Sequence, residues 1–230
     1  MMARAVPPVT GPVEDYLKVI FELESAAGVA GTTEIATELG FAPPSVSGMI
    51  RRLADQGLIE HERYRGVRLT KAGRRAALRT IRRHRVIEAY LTTALAYPWD
   101  RVHDEADRLE HAASDELIDR MAAAIGEPTT DPHGAPIPTR DGTLDETPVL
   151  ALDEVGVGVR VCVQRVGDRD AEQLRYLETL GIKPGRWIEV VSREPFDGPI
   201  GLRIGGATRS IGPTLARQIL VATASTNDAN

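Results

Sequence analysis

Apolar positions near the start of the chain repeat with a helical period. Val13, Tyr16, Leu17, Ile20 and Phe21 fall at i, i+3, i+4, i+7 and i+8. That is one face of an amphipathic helix beginning near Pro12, with Glu14 and Asp15 in its first turn, where acids suit the helix dipole. Asp15 points away from the stripe and by itself reads as a solvated acid. A short second helix is predicted from Thr32 or Thr33, either of which can cap it, to Gly40. Pro43, Pro44 and Ser45 open a third, with Val46, Met49, Ile50 and Leu53 as its buried face and Gly57 as its stop. LIEHERYRGVRLT then reads as two short strands turning at Arg65-Gly66. Helix, tight turn, helix and hairpin in this order form a winged helix-turn-helix pattern. Its second helix would enter a major groove, with Ser45 and Ser47 near base edges and the hairpin arginines on phosphates.

A long helix is predicted from about Lys71 to Ala96, carrying His84 and Glu88 on one face at i, i+4. An isolated pair of that kind is usually a surface hydrogen bond. Tyr97-Pro98 ends the helix. VHDEADRLEHAASDEL, from Val102, then reads as one helix whose apolar stripe is Val102, Ala106, Leu109, Ala113 and Leu117. His103, Asp107, Glu110 and His111 lie within about 100° of one another on the helix wheel, along the border of that stripe. Converging imidazoles and carboxylates can bind a divalent metal. A solvated acidic helix is the commoner explanation of such a stretch, and the stretch alone does not decide.

The segment EPTTDPHGAPIPTRDGTLDETP is rich in proline and turn formers and reads as a linker, with His133 as a loop residue. Beyond Val149 the period changes. Val155, Val157, Val159, Val161 and Val163 alternate as in a half-buried strand. WIEVVSRE and PIGLRIGG predict two more strands, with turns at Lys183-Pro184-Gly185 and Phe196-Asp197-Gly198 and a short helix at AEQLRYLETLGI. Together these predict a small β-barrel. The fold class expected is mainly α with a β C-terminal domain.

Composition and charge add four constraints. Aromatics at 4% argue against base-stacking platforms for single strands. No run is long and apolar enough to span a membrane, and the N-terminus lacks an apolar leader, so a cytoplasmic protein is expected. The single Cys162 excludes an intrachain disulfide and an all-thiolate metal site. Net charge is −5, yet Arg51 to Arg85 holds twelve basic residues against three acids, a local +9 that matches a phosphate-binding surface.

In order, EDYLKVIFELE, APPSVSGMIRRLADQGLI, YRGVRLTKAGRRAA, RRHRVIEAYL, VHDEADRLEHAASDEL and DPHGAPIP resemble the DtxR/MntR family of metal-dependent transcriptional repressors. The resemblance runs from about Asp15 to Pro138, and the C-terminal part is similar to the family's SH3-like domain. It implies two metal sites. In one, Asp15 joins Asp107, Glu110 and His111. In the other, His84, Glu88 and His103 join Asp170 and Gln173. It also implies that Pro44, Ser45, Ser47, Gly48 and Arg52 face DNA, with Arg63 and Arg65 in the hairpin. The iron-responsive branch carries methionine and cysteine where this chain has Asp15 and Asp107. Carboxylates there make a harder site, which points to Mn(II), with Fe(II) second and Co(II) or Zn(II) as possible occupants. Lys18 stands where some two-site manganese regulators have a glutamate, which counts against a closely coupled binuclear cluster.

The expected organisation is a winged helix-turn-helix domain at 1–74, a metal-binding and dimerisation domain at 75–140, a linker at 141–150 and an SH3-like domain at 151–226. The expected function is that of a homodimer bound to double-stranded operator DNA, not an enzyme. A metal-dependent hydrolase using the His and carboxylate cluster is the competing reading. It would need an open coordination position and a substrate pocket, and the sequence offers no nucleophile motif or phosphate loop. A winged-helix regulator of an organic ligand is a third.

Overall fold

The first apolar stripe forms the helix it predicts. In the computed structural model, which describes residues 11–62, 65–145 and 147–223, α1 spans Gly11–Ala27 and buries Val13, Tyr16, Leu17, Ile20 and Phe21. The chain divides into two compact units, and α1 belongs to the first, which comprises residues 11–84, 108–114 and 138–144. There α2 (Thr32–Leu39) ends at Gly40, whose φ of 66° is the left-handed conformation that lets its amide reach back to the last carbonyls. Helix α3 (Pro43–Asp55) opens on prolines that need no backbone partner in the first turn. Strands β1 (Ile59–Glu62) and β2 (Gly66–Leu69) pair antiparallel, Ile59 opposite Leu69. Leu17, Ile20, Ile35, Ile50, Leu53 and Ile81 form a closed core. At Gly73, near the start of α4 (Lys71–Leu95), an added Cβ would lie 1.9 Å from the Leu58 carbonyl oxygen, so the helix packs directly on the hairpin backbone.

The second unit comprises residues 85–107, 115–137 and 145–223. It holds the rest of α4, α5 (Val102–Leu109) as far as Asp107, and α6 (Asp115–Ala124). Its sheet has six antiparallel strands: β3 (Leu150–Ala151), β4 (Arg160–Val166), β5 (Trp187–Arg193), β6 (Ile200–Ile204), β7 (Ala207–Ile211) and β8 (Ile219–Thr223). Their spatial order is β3-β8-β4-β5-β6-β7. Helices α7 (Ala171–Leu180) and α8 (Pro213–Ala216) accompany the sheet, and Val161, Val163, Leu174, Leu177, Ile188, Val190 and Leu202 fill its core. Trp99, just after α4, packs against this core, and its indole N–H donates to Glu178 across 3.3 Å.

Two elements differ from the pattern. The single helix expected over Val102–Leu117 is two helices, because the chain turns at Glu110–Ala112 and restarts at Asp115–Glu116, acids that suit a helix N-terminus. Leu109 and Leu117 are consequently exposed. The valine alternation from Val155 is not one strand either. Gly158 takes a φ of 83°, which breaks the pleat and leaves Val157 and Val159 in solvent, and β4 begins only at Arg160.

Candidate metal centres and nucleic-acid face

The helix break at Glu110 shapes the first centre. Glu110 and His111 sit in the turn after α5, and in the first unit they meet Asp15 of α1. One ligand atom from each of the three lies within 4.8 Å of the others. His111 Nε2 is 2.8 Å from Asp15 Oδ1 and 3.5 Å from Glu110 Oε1. Burial raises the Asp15 carboxyl above its ordinary range, with Glu110 adding to the rise and His111 and Lys18 opposing it. His111 is also raised: burial disfavours its charged form, but the carboxylates of Glu14, Asp15 and Glu110 outweigh that. Glu110 is 1% exposed, and its Oε2 lies 2.6 Å from His84 Nδ1 and 3.2 Å from Lys18 Nζ.

A second centre lies in the other unit. Glu88, Asp131, His133 and Asp168 each turn one ligand atom into a space where all lie within 4.8 Å of one another. His103 borders it, with Nδ1 3.3 Å from Glu88 Oε1 and 3.9 Å from Asp168 Oδ2. Glu88 and His133 are fully buried and Asp131 nearly so. His133 Nε2 lies 2.7 Å from the Trp99 carbonyl oxygen. A carbonyl only accepts, so Nε2 carries the proton and Nδ1 is left bare. That Nδ1 and Asp131 Oδ2 are both buried without a hydrogen-bond partner, Nδ1 lying 3.8 Å from Glu88 Oε1 and Oδ2 forming a longer ion pair with Arg85 Nε at 3.7 Å. Asp131 Oδ1, in contrast, accepts from the His133 and Ala135 amides at 2.8 and 2.9 Å, which clamps the turn. Burial, and next the Glu88 carboxylate, push Asp131 up to about 6. Carboxylates and a bare imidazole nitrogen facing one another in a buried space fit a divalent cation.

Asp15, Glu110 and His111 come together. Asp107 is half-exposed and turns Oδ2 to His103 Nε2 at 3.6 Å. His84 takes part in the first unit's network with Glu110. Asp170 caps α7, its Oδ1 accepting from the Glu172 and Gln173 amides, and those hydrogen bonds hold its carboxyl below the ordinary range. The Gln173 amide donates to Asp170 Oδ2 at 2.9 Å. Asp168, two residues earlier, is the carboxylate of the sheet domain that joins the second centre. Asp131 and His133 were missed because the stretch 126–148 reads as a linker by composition, and Asp168 because the resemblance points to Asp170. The available signal was the Asp-x-His-Gly spacing, since Gly134, at φ 89°, is where the turn crosses β4 and a Cβ would lie 1.9 Å from the Gln164 oxygen.

On α3, Pro44, Ser45, Gly48 and Arg52 are exposed and Ser47 is half-buried, its hydroxyl donating to the Pro43 carbonyl. A Cβ added at Gly48 would meet nothing within 4 Å. Arg65 is exposed at the hairpin turn. Arg63 lies outside the described residues.

Comparison with known proteins agrees across the chain. Residues 9–67 match the family described as iron dependent repressor, N-terminal DNA binding domain, and residues 70–139 the iron dependent repressor metal binding and dimerisation domain. Residues 150–223 match the FeoA domain. The diphtheria toxin repressor of Corynebacterium efficiens is 32% identical over 191 residues, covering 79% of this chain and 83% of that protein. The iron-dependent repressor IdeR of Mycobacterium tuberculosis is 30% identical over 189 residues, 77% of this chain and 82% of its own. A solved structure described as a manganese-dependent transcriptional repressor complex with manganese is 40% identical, with a TM-score of 0.83 over 91% of this chain and 99% of that one. Among the described residues no helix is long and apolar enough to cross a membrane.

Proposed function

This chain belongs to the DtxR/IdeR family of metal-dependent transcriptional repressors, and on that premise we propose that it is a Mn(II)-dependent repressor. In this reading a homodimer binds palindromic operator DNA upstream of metal-uptake genes. We assign 1–74 to DNA binding, 75–140 to metal binding and dimerisation, 141–150 to a linker and 151–226 to the SH3-like domain.

The observation that carries the metal choice is the donor chemistry. Asp15, Glu110 and His111 offer two carboxylates to one imidazole, and Glu88, Asp131, Asp168 and His133 offer three to one. Neither set contains sulfur, and oxygen-rich sites suit Mn(II). The name of the 40% identical manganese repressor points the same way. The iron-dependent names of the curated relatives make Fe(II) the second candidate.

When bound, a divalent cation supplies the positive charge that lets these carboxylates converge. Asp15 is carried by α1 of the DNA-binding domain, and Glu110 and His111 by the turn after α5. Drawn to one point, they tie that turn to α1. Without a cation the carboxylates repel one another and the tie loosens. A switch from 1:99 to 99:1 needs about 5.5 kcal/mol of preference for the DNA-competent arrangement, a scale several charged ligands can supply.

The test is fluorescence anisotropy of the purified protein on its own upstream DNA at fixed salt, titrated with Mn²⁺, anaerobic Fe²⁺ and Zn²⁺. Tight binding with Mn²⁺ at concentrations where Fe²⁺ fails is expected. Equal response to both ions overturns the manganese assignment. Binding that ignores every metal overturns the switch.

A further inference from the structure

His111 can serve the first centre through only one of its nitrogens. Nε2 faces Asp15 and Glu110, at 2.8 and 3.5 Å, whereas Nδ1 lies 2.7 Å from Glu14 Oε2. The ring rests against the start of α1, where a Cβ added to Gly11 would lie 3.4 Å from His111 Cγ. Glu14 is itself held. Its Oε1 accepts from Arg83 Nη1 at 3.1 Å, and the two side chains are only about a tenth exposed. A metal ligand must be the neutral ring, which has two forms. A carboxylate accepts from a ring N–H and each nitrogen faces one, but Glu14 is pinned by Arg83 and about a tenth exposed, whereas the Asp15 side chain is 44% exposed and can turn to water. The proton therefore belongs on Nδ1, which leaves the Nε2 lone pair facing Asp15 and Glu110.

We propose that Glu14, anchored by Arg83, is the positioning residue that fixes His111 in its Nδ1–H form and so makes Nε2 the ligand atom. The inference rests on the reading of Asp15, Glu110 and His111 as a metal centre. It makes a counter-intuitive ranking of substitutions. Glu14→Gln preserves size and shape. Arg83 has only donors and therefore takes the amide oxygen, which turns the NH₂ toward His111 Nδ1. That nitrogen becomes the acceptor, the ring proton moves to Nε2, and the ligand lone pair is lost. Glu14→Ala merely releases the ring to sample both forms. A residue that only filled space or supported the fold would show the reverse order, with glutamine the milder change.

The experiment uses full-length, metal-stripped protein. Long-range ¹H–¹⁵N correlation spectra at alkaline pH report the protonated nitrogen of His111, its resonances being assigned by their loss in His111→Gln. Mn²⁺ binding is followed by calorimetry on the same samples. The wild type should show Nδ1–H. Glu14→Gln should show Nε2–H and bind Mn²⁺ at this centre some 10- to 100-fold more weakly, the range typical of groups that orient a ligand, with Glu14→Ala in between. Wild-type His111 protonated on Nε2, or Glu14→Gln binding at least as well as Glu14→Ala, overturns the proposal. Should Glu14→Gln fail to fold, the wild-type spectrum alone still decides. Unchanged Mn²⁺ stoichiometry in His111→Gln would instead remove the metal centre on which the inference stands.

Discussion

The Lys18 ammonium donates to Glu110 Oε2 across 3.2 Å, and the same Nζ lies 3.1 Å from His84 Nδ1. Glu110 is buried and also borders Asp15 and His111, so its two oxygens face two different neighbourhoods. One opens on the candidate ligands; the other is already held by a cation fixed to the chain. A second divalent ion near Glu110 Oε2 and His84 Nδ1 would meet the Lys18 charge at close range in a site with little water. The first centre is therefore expected to take one ion. Lys18→Glu replaces the cation with a donor and should add one Mn²⁺ per protomer, counted by dialysis and elemental analysis. The added ion should give the exchange-coupled electron paramagnetic resonance signal of paired manganese, whereas the wild type shows isolated ions. An unchanged count in a folded Lys18→Glu protein would sink this expectation.

Asp131 sets a pH dependence of the metal-free fold. Burial, then Glu88, push its carboxyl from 3.8 up to about 6. Between those values the folded chain holds a proton that the unfolded chain has released. Stability is then fullest below about pH 4 and falls as pH rises through about 6, by on the order of 3 kcal/mol from this group alone. Asp131→Asn removes the charge and should flatten that slope, leaving the mutant the more stable of the two near neutral pH. Denaturant titrations of both proteins, stripped of metal, across this range provide the check. With Mn²⁺ present the order should reverse, because the ionised carboxylate is then a ligand and metal binding adds to folding stability.

Much of this was legible from residue periodicity. Val13, Tyr16, Leu17, Ile20 and Phe21 face the core as their spacing requires, because a helix has no other way to bury them together. The wheel drawn through His103, Asp107, Glu110 and His111 failed for a physical reason. It assumed an unbroken helix, while the chain turns after Leu109, and that turn carries Glu110 and His111 to Asp15. His133 was hidden by its neighbours. Proline and glycine around it signal a loop, and nothing local indicates that the loop is buried by a sheet whose strands come later in the chain. Asp168 and Asp170 differ only in what the start of α7 demands: a cap must sit next to the helix, which ties up Asp170 and leaves Asp168 to the centre.

Gly48 separates folding from recognition on α3. It is exposed in mid-helix, and a Cβ there would meet nothing within 4 Å. Gly48→Ala should accordingly stabilise the isolated protein by about 0.5–1 kcal/mol, since alanine loses less backbone freedom in a helix. On DNA the same methyl group enters the surface that α3 would press against base edges. Operator affinity should change while the slope of log affinity against log salt stays fixed, because no phosphate contact is altered. Arg52→Ala, one turn further along, is the contrasting case. If its guanidinium rests on a phosphate, binding weakens on every sequence and the salt slope drops by about one. Anisotropy titrations of both variants over a salt series distinguish the two contributions. A Gly48→Ala protein that melts higher yet binds its operator as the wild type does would show that this face of α3 does not enter the groove.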